Sequence, residues 1–326
     1  MRASLPLSAR CGGGSIRPVM SNVDLVPAAR LSWSQPTQQG GPLPHSYRLG
    51  NLDLRILSDG TYYQDAGAVF GIVPRVMWER AVNPSLDAQY RMPLGLNSAL
   101  VRSHDKLVLI ETGVGDKEGH RRQASPAAEG NLLVELAAIG VRPGEIDIVI
   151  NTHLHADHCG WNTRAAEDGR AVPTFPNARY LIQRGEWQAA IAPNERTRAT
   201  YLAENLLPLD EAGVLELIDG ERAVTPEITV LPTRGHTEDH ASVVLSSGGE
   251  TAIYIGDMVQ HQVQLERTAW VSSFDILPLV SMETKKRIVE RAIRDQAIVI
   301  SVHCPFPGLG HMTMSEDGRK RWEPLT

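Results

Sequence analysis

The sequence predicts an α/β sandwich, in which helices cover packed β-sheets. Three observations lead to this fold class. Short runs of apolar and β-branched residues, which are typical of buried strands, outnumber the helical patterns. Helical patterns nevertheless separate many of these runs, as expected where helices pack on sheets. The chain of 326 residues is long enough for one large domain, and no internal repeat divides it.

In the first half of the chain, four strands and one helix are predicted. The clearest strand is the β-branched run Ile148-Val149-Ile150, within residues 147–151. Residues 131–139 have a helical pattern, with Gly140 at its end and a proline just beyond. The other strands are predicted over residues 52–57, 99–101 and 107–110.

The second half of the chain continues the alternation of strands and helices. A helix is predicted over residues 283–294, and a strand follows it over residues 297–302. No linker interrupts residues 50–315, so residues 46–326 are predicted to form one domain. The remaining strands are predicted over residues 179–183, 214–218, 228–231, 242–245 and 251–255.

Residues 1–45 differ in composition from this domain. They contain four arginines but only one acidic residue, Asp24, and they are rich in glycine, serine, proline and glutamine. Such a segment buries too little apolar surface to offset the entropy that is lost when it becomes ordered. We therefore expect a flexible N-terminal tail that catalysis does not need. A targeting segment and a later start at Met20 are the alternatives.

The overall composition excludes several classes of protein. The net charge of −6 leaves no basic surplus to neutralise a phosphate backbone, which argues against a nucleic-acid partner. No apolar run approaches the roughly 18 residues of a membrane span, which argues against a membrane protein. The three cysteines are odd in number and far apart, so they predict neither a disulfide framework nor a CxxC metal site. A reducing compartment, and hence a cytoplasmic location, is the simpler interpretation.

Four side chains that can bind metal follow the strand at residues 147–151 within a few residues. His153 and His155 are two residues apart, so they project to the same side of an extended chain. The chain then turns, and Asp157 and His158 can face another point nearby. Three imidazoles and one carboxylate in this short segment suit Zn²⁺ or a similar divalent ion. They have no comparable structural use, because buried unpaired polar groups are costly.

Three later segments each place one such residue just beyond a predicted strand. His236 follows the strand at residues 228–231, Asp257 follows that at 251–255, and His303 follows that at 297–302. One residue of this kind after a strand is usually incidental, but the repeated arrangement is not. Cys159, which adjoins the first cluster, is interpreted as a small buried residue, because its side chain and that of His158 point apart.

The motif His-x-His-x-Asp-His at residues 153–158, followed by His236, Asp257 and His303, resembles the metallo-β-lactamase superfamily. The likeness covers about residues 50–312. It implies a four-layer αββα sandwich, in agreement with the fold class above. The turn Glu111-Thr112-Gly113 occupies the place where many members have Asp-Thr-Gly, so the acid and the turn are both kept.

The resemblance also implies a dinuclear metal centre and a hydrolytic reaction. Asp257 would bridge two divalent ions, with zinc as the default and iron, manganese or cobalt also suited to these ligands. A hydroxide held between the ions would attack a carbonyl or phosphoryl group. Asp157 would be the catalytic residue that accepts or relays a proton. The first ion would be bound by His153, His155 and His236, and the second by Asp157, His158 and His303.

Two segments are similar to the branch that contains methyl parathion hydrolase and the quorum-quenching lactonases. These segments are residues 256–261 and residues 303–311, His-Cys-Pro-Phe-Pro-Gly-Leu-Gly-His. The similarity implies a small-molecule substrate, namely a small apolar lactone or carboxylic ester. Phosphotriester hydrolysis and a non-catalytic metal-binding protein on the same fold are the alternatives. Gln260 stands where acyl-homoserine lactonases carry a tyrosine, which weakens the case for that particular lactone.

Candidate pocket residues come from aromatic and histidine side chains. Aromatic residues are unusually frequent within residues 60–84. Phe70 and Trp78 of this segment, together with Phe306, are predicted to line an apolar substrate pocket. The alternatives are that this segment packs the first sheet or forms a contact between the subunits of a homodimer.

Three further histidines have supporting or uncertain roles. His240 is predicted to orient neighbouring groups rather than to bind metal. His261 and His311 either line the pocket or form hydrogen bonds within their loops.

Overall fold

Two seven-stranded sheets form the centre of the protein. The computed structural model describes residues 44–82, 85–117 and 131–325. In spatial order, the first sheet consists of β1 (His45–Leu49), β2 (Leu52–Asp65), β3 (Arg91–Ser103), β4 (Lys106–Ile110), β5 (Ile148–Ile150), β8 (Arg179–Gln183) and β9 (Leu215–Ile218). Its strands β4, β5, β8 and β9 are parallel, and the others are antiparallel. The strands β6 (Thr163–Ala165) and β7 (Ala171–Pro173) form a separate small ribbon.

The second sheet is built largely from consecutive antiparallel strands. Only β13 and β14 pair in parallel, because a long helix connects them. In order, its strands are β10 (Arg222–Thr225), β11 (Ile228–Pro232), β12 (Ala241–Ser247), β13 (Glu250–Tyr254), β14 (Ile298–Ile300), β15 (Leu309–Met314) and β16 (Lys320–Pro324).

The main hydrophobic core lies between the two sheets. Alternate residues of a strand point to the same face, so Leu52, Leu54 and Ile56 of β2 enter this core together. Val243 and Leu245 of β12 enter it from the second sheet. The opposite face of each sheet needs a second covering layer, which the helices provide.

Helices cover the outer faces of both sheets. The helix Pro278–Arg294 buries Ile288 and Val289 against Ile253 and Val299 of the second sheet. On the first sheet, the helix Leu132–Ala138 contacts β2, and the helix Arg184–Ile191 contacts β8 and β9. The remaining α-helices are Ala66–Phe70, Arg75–Val82, Ala156–Cys159, Leu207–Glu211 and Gln262–Glu266. Short 3₁₀ helices span Pro143–Glu145, Gly160–Asn162, Ala203–Asn205 and Gly256–Met258. The αββα sandwich is therefore confirmed.

The structure differs from the sequence-based expectations in the length of some elements and in the presence of others that were not predicted. The strand predicted over residues 52–57 continues to Asp65, because Gly60, with φ of 104°, allows an irregular step in the pairing with β3. The helix predicted over residues 283–294 begins earlier, at Pro278, where the first helical turn tolerates proline. The short strands β1, β6, β7, β10, β15 and β16 were not predicted from the sequence.

The predicted N-terminal tail lies outside the described residues up to position 43, and β1 begins at His45. The described residues all belong to one structural unit. Among the residues that the structure describes, no helix has both the length and the apolar character needed to cross a membrane.

Candidate dinuclear metal centre

The seven side chains predicted to bind metal come together in loops that follow four strands. His153, His155, Asp157 and His158 lie in the segment after β5. The other three come from the second sheet, beyond β11 for His236, β13 for Asp257 and β14 for His303. Strand ends of the two packed sheets therefore form the site, and ligands far apart in sequence become neighbours.

A first cluster contains His153, His155 and His236. One nitrogen from each imidazole lies within 4.8 Å of the others. The Nε2 atom of His236 is 3.1 Å from Nδ1 of His155, which identifies these two atoms as the ones that face the common centre. All three side chains are buried. Three converging imidazoles of this kind match a zinc site that leaves further positions for other ligands.

A second cluster contains Asp157, His158 and His303, and Asp257 lies between it and the first. The Oδ1 atom of Asp257 is 3.1 Å from Nε2 of His158 and 3.0 Å from Nε2 of His303. Its Oδ2 atom instead faces the first cluster, 3.4 Å from Nε2 of His236. The two oxygens of one carboxylate thus face different clusters, an arrangement that suits a bridging ligand.

The buried polar atoms at this centre fit a pair of metal ions. Nε2 of His153, His158 and His303 and Oδ1 of Asp257 form no hydrogen bond of suitable geometry within the described chain, although Oδ1 of Asp257 lies close to two of these nitrogens. Leaving such atoms unpaired in a protein interior costs about 1–3 kcal/mol each. They converge on the same two points, so divalent cations bound there would satisfy all of them at once.

Buried groups around the ligands fix their orientation. Glu111 places Oε2 2.9 Å from Nδ1 of His158, and its Oε1 accepts a hydrogen bond from the backbone N–H of Thr152. Glu111 has φ of 65°, a left-handed conformation that is unfavourable for a residue other than glycine. This strained turn aims the carboxylate at the metal ligands. The acid predicted at this turn therefore supports the second cluster.

Two further ligands are held through their Nδ1 atoms. Nδ1 of His236 lies 2.9 Å from Oδ1 of Asp275, and Nδ1 of His303 lies 2.8 Å from the carbonyl oxygen of Gly95. Each contact favours a proton on Nδ1 and leaves Nε2 free to bind a cation. Gly95 permits this approach because a Cβ atom there would lie only 2.7 Å from the carbonyl oxygen of Cys304.

His240 contacts the backbone of Asp257 and belongs to neither cluster of candidate ligands. Its Nε2 atom accepts a hydrogen bond from the backbone N–H of Asp257, and its Nδ1 atom lies 2.9 Å from the hydroxyl oxygen of Thr233. Gly256 makes this packing possible, because a Cβ atom there would be 2.6 Å from Nε2 of His240. The orienting role of His240 stays a prediction, and these contacts are the ones through which it would act.

The surroundings of the imidazoles keep two of them neutral and favour the protonated form of a third. Burial lowers the pKa of His155 to about 3, and it lowers that of His153 well below its ordinary value with the help of nearby imidazoles. These two side chains are therefore neutral imidazoles with a lone pair for a metal. Burial also opposes the charged form of His158, but Asp257, Asp157 and Glu111 outweigh it and raise the pKa of His158.

The carboxylates of the centre are held in their ionised form. Burial alone would raise the pKa of Asp257, but His303, His158 and His236 reverse the effect and lower it well below the ordinary value. Burial likewise opposes ionisation of Asp157, and the nearby His158 and His303 lower its pKa. Anionic oxygens are thus available at both clusters near neutral pH.

Tyr62 contributes a hydroxyl group that the sequence analysis did not single out. It lies on the extension of β2, and its hydroxyl donates a 2.9 Å hydrogen bond to Oδ2 of Asp157. Its ring also meets the imidazole of His303 edge to face, with centroids 5.6 Å apart. Tyr62 therefore restrains the partly exposed carboxylate of Asp157 at the cavity.

A cavity of about 360 Å³ opens above the metal ligands. His155, Asp157, His236 and Asp257 form its base. Its remaining walls are mixed in polarity and comprise Tyr62, Gln64, Val114, Ala156, Arg196, Thr197, Thr200, Gln260, Ser273, Phe274 and Ile276. A small organic molecule can therefore reach both clusters from solvent.

The structure places the aromatic pocket candidates away from this cavity. Phe70 and Trp78 stack on each other, 5.8 Å between ring centroids, in a buried cluster beside the first sheet. Their helices turn these rings inward because the sheet offers an apolar surface to cover. Phe306 packs against the core between the sheets. Phe274 and Ile276 form the apolar wall instead, although the sequence analysis did not identify them.

The remaining histidine candidates also lie outside the residues that line this cavity. His261 caps the helix Gln262–Glu266, where its Nδ1 atom accepts a hydrogen bond from the backbone N–H of Val263. His311 lies within β15, opposite Ile298 of β14. Cys159 is buried as expected, and its thiol donates to backbone carbonyl groups nearby.

Other residues that organise the site had no clear signal in the sequence. Glu186 is buried and accepts hydrogen bonds from the backbone N–H of Leu154, the hydroxyl of Tyr201 and the hydroxyl of Thr237. It therefore ties together the two segments that carry the first cluster. Asp275, the partner of His236, lies in a loop without a recognisable motif. Only the folded contacts distinguish these acids from ordinary surface carboxylates.

Comparisons with known proteins agree with this geometry. The family described as the metallo-beta-lactamase superfamily matches residues 91–301 of the chain. An N-acyl homoserine lactonase from Bacillus cereus is 25% identical over 243 residues, which cover 70% of this chain and 89% of that protein. An N-acyl homoserine lactonase, AttM, from Rhizobium radiobacter is 25% identical over 118 residues, covering 34% of this chain and 40% of that protein.

Solved structures share the same architecture. A probable metal-dependent hydrolase from Staphylococcus aureus superposes with a TM-score of 0.76 at 25% identity, covering 86% of this chain and 99% of that chain. AidC, a dizinc quorum-quenching lactonase solved with the product N-hexanoyl-L-homoserine, superposes with a TM-score of 0.75 at 22% identity. The second likeness covers 88% of this chain and 99% of that chain, and at this identity it bears on the fold alone.

Proposed function

The chain belongs to the metallo-beta-lactamase superfamily of metal-dependent hydrolases, and we propose that it uses two divalent metal ions to hydrolyse a small lactone or carboxylic ester. The observation that carries this proposal is the position of Asp257. Its two carboxylate oxygens face separate clusters of ligands, at 3.0–3.4 Å from imidazole nitrogens. A single ion would leave one of these oxygens and the cluster it faces without a partner.

The donor set supports zinc as the bound metal. Five imidazoles and two carboxylates are borderline ligands of the kind that zinc prefers, and iron, manganese or cobalt also accept them. When bound, such ions would polarise an ester carbonyl and lower the pKa of a water molecule shared between them. His153, His155 and His236 would hold one ion, and Asp157, His158 and His303 the other.

Asp157 is the residue proposed to move the proton. Its side chain is 24% exposed toward the cavity, whereas the imidazole ligands beside it are fully buried. It can therefore accept the proton released as water adds to the ester carbonyl, and return it to the ring oxygen when the C–O bond breaks. Tyr62 donates to Oδ2 of this carboxylate and keeps it at the base of the cavity.

The dimensions of the cavity favour a compact substrate. About 360 Å³ accommodates a lactone ring or a short ester together with a modest side group. The relatives described above include N-acyl homoserine lactonases, and their reaction is the opening of a ring ester. Hydrolysis of a lactone or ester is thus the reaction that agrees with the size of the cavity, the proposed metal ligands and the proposed proton acceptor.

A substrate panel on metal-reconstituted protein tests this proposal. The panel should contain simple lactones, N-acyl homoserine lactones, aryl esters and a phosphotriester, with metal content measured on the same samples. We expect about two metal ions per chain and hydrolysis of at least one lactone or ester that a chelator abolishes. Turnover of the phosphotriester alone would favour the phosphotriesterase alternative. One ion per chain at saturating metal, or no turnover of any compound, would contradict the proposal.

A further inference from the structure

Arg196 presents a fixed positive charge to the cavity above the metal ligands. Of the described residues that line this cavity, it is the only one with a permanent positive charge. It lies in the loop after the helix Arg184–Ile191 and is exposed to solvent. A cationic side chain at the wall of a substrate cavity is costly to leave without a partner once a ligand displaces water.

The guanidinium of Arg196 is anchored on one side only. Its Nη2 atom donates to the carbonyl oxygens of Ser273, at 2.6 Å, and Asp275, at 3.3 Å. The side chain of Asp275 in turn holds His236, so this anchor ties the arginine to the wall beside the first cluster. Nε and Nη1 of Arg196 donate to no other residue in the described part of the chain. Part of the planar donor group therefore stays available to a ligand.

The backbone around Arg196 is also held in place. The side-chain oxygen of Asn194 accepts hydrogen bonds from the backbone N–H groups of Arg196 and Thr197. This local turn fixes the start of the side chain, while the two carbonyl contacts fix its end. Because both the backbone and the guanidinium of Arg196 are held, the side chain loses little conformational entropy when it binds an acceptor. This restraint favours recognition of a ligand.

We propose that Arg196 binds a carbonyl-type oxygen on the acyl part of the substrate, either a carboxylate or an amide, and thereby selects lactones and esters that carry one. This inference rests on the proposed hydrolase function and adds a substrate class to it. The uncharged polar residues Gln64, Thr197 and Thr200 also line this cavity and suit a polar acyl part. A purely aliphatic chain would instead remove water from Arg196 without replacing its hydrogen bonds.

A matched set of 4-nitrophenyl esters tests the proposal. The acyl chain is made in several lengths. At each length it ends in a carboxylate, a primary amide or a methyl group. We expect kcat/KM of the wild-type protein to favour at least one acceptor-bearing ester by about tenfold over its methyl counterpart. Arg196→Met should abolish this preference, and Arg196→Lys should keep part of it for the carboxylate. Arg198→Met is the control, because Arg198 is an exposed arginine of the same loop that does not line the cavity.

The outcomes separate recognition from a structural role. Equal losses of kcat/KM for all esters in Arg196→Met would mean that the arginine only fastens the loops, and would overturn the proposal. The proposal would also be overturned if the wild-type protein had nearly equal kcat/KM values for the acceptor-bearing esters and their methyl counterparts. A preference for the carboxylate alone assigns an anionic substrate group, and equal preference for the amide assigns a neutral one.

A binding measurement distinguishes this inference from the proposed function. If the metal-loaded protein hydrolyses no lactone or ester, the proposed function fails, and the subsite is then judged by calorimetry with glutarate and butyrate. Tighter binding of glutarate that is lost only in Arg196→Met would support an acceptor site at Arg196. Equal binding of glutarate by the wild type and this variant would overturn it.

Discussion

Replacing Asp157 with asparagine separates the two roles proposed for this side chain, metal ligand and proton acceptor. Asparagine has nearly the same shape and keeps one oxygen, but it carries no charge and cannot take up a proton. In the structure, Oδ2 of Asp157 is 3.6 Å from Nε2 of both His158 and His303. The carboxylate of Asp257 lies closer to the same two nitrogens, at 3.1 and 3.0 Å. The second cluster therefore keeps its nearest anion in the variant.

The expected effect on turnover follows from the lost proton transfer. General acid–base catalysis by a positioned side chain contributes about 10²–10⁴-fold, or roughly 3–5 kcal/mol of activation free energy. We expect Asp157→Asn to lose turnover by this factor while it retains the first metal ion. Asp257→Asn is the matched comparison, because it removes the anion that faces both clusters. It should lose metal itself, since two cations would no longer share a negative charge.

The assay measures metal content by elemental analysis and kcat/KM with the best lactone or ester on the same preparations of both variants. If Asp157→Asn kept near-wild-type turnover with full metal content, Asp157 would not be the proton acceptor. If it instead lost as much metal as Asp257→Asn, its effect on turnover would reflect ligand loss, and the proposed division of roles would be wrong.

Three other substitutions probe the support of the site and the helical layer. Tyr62→Phe removes the hydrogen bond to the carboxylate of Asp157, the proposed proton acceptor, and should lower kcat/KM about tenfold with unchanged metal content. Tyr63→Phe is the control and should have little effect on kcat/KM, because Tyr63 does not line the cavity. Gly256→Ala should reduce the free energy of unfolding by about 2–4 kcal/mol and weaken metal binding, because the added Cβ would lie 2.6 Å from an imidazole nitrogen. Gly220 has a similarly positive φ but no atom near the position of a Cβ, so Gly220→Ala should cost only about 1 kcal/mol. Equal unfolding midpoints for the two variants would contradict this prediction. Burial lowers the pKa of Lys285 to about 8, so between that pH and the ordinary lysine pKa of about 10.4 the unfolded chain binds more protons than the folded one. In this window, denaturant titrations should show the free energy of unfolding of the wild type rising relative to that of Lys285→Met by up to about 1.4 kcal/mol per pH unit. Parallel curves would refute the argument.

The sequence was sufficient for features that depend on local order. The alternation of apolar strands and helices predicted an α/β sandwich, because the period of a strand or helix is a property of neighbouring residues. The four-layer αββα order followed from the resemblance to the metallo-β-lactamase superfamily. The helix Leu132–Ala138 was predicted with accurate ends, since Asn131 and Gly140 carry recognisable capping signals. Four candidate ligands could be named because His-x-His-x-Asp-His is a dense and unusual motif. His236, Asp257 and His303 were added because each follows a predicted strand and because the resemblance gives them the same role.

Contacts between distant segments were decided by the tertiary structure alone. Tyr62 meets Asp157 across 95 positions in the sequence, and Arg196 meets Ser273 across 77. No local pattern specifies such pairs, because they depend on how two sheets and their loops pack. The same packing turned Phe70 and Trp78 into a buried cluster and left Phe274 at the cavity wall instead. The sequence thus determined which residues are candidates to bind metal, because their types and order are local properties. The packing of the sheets determined which groups contact those candidates and line the cavity.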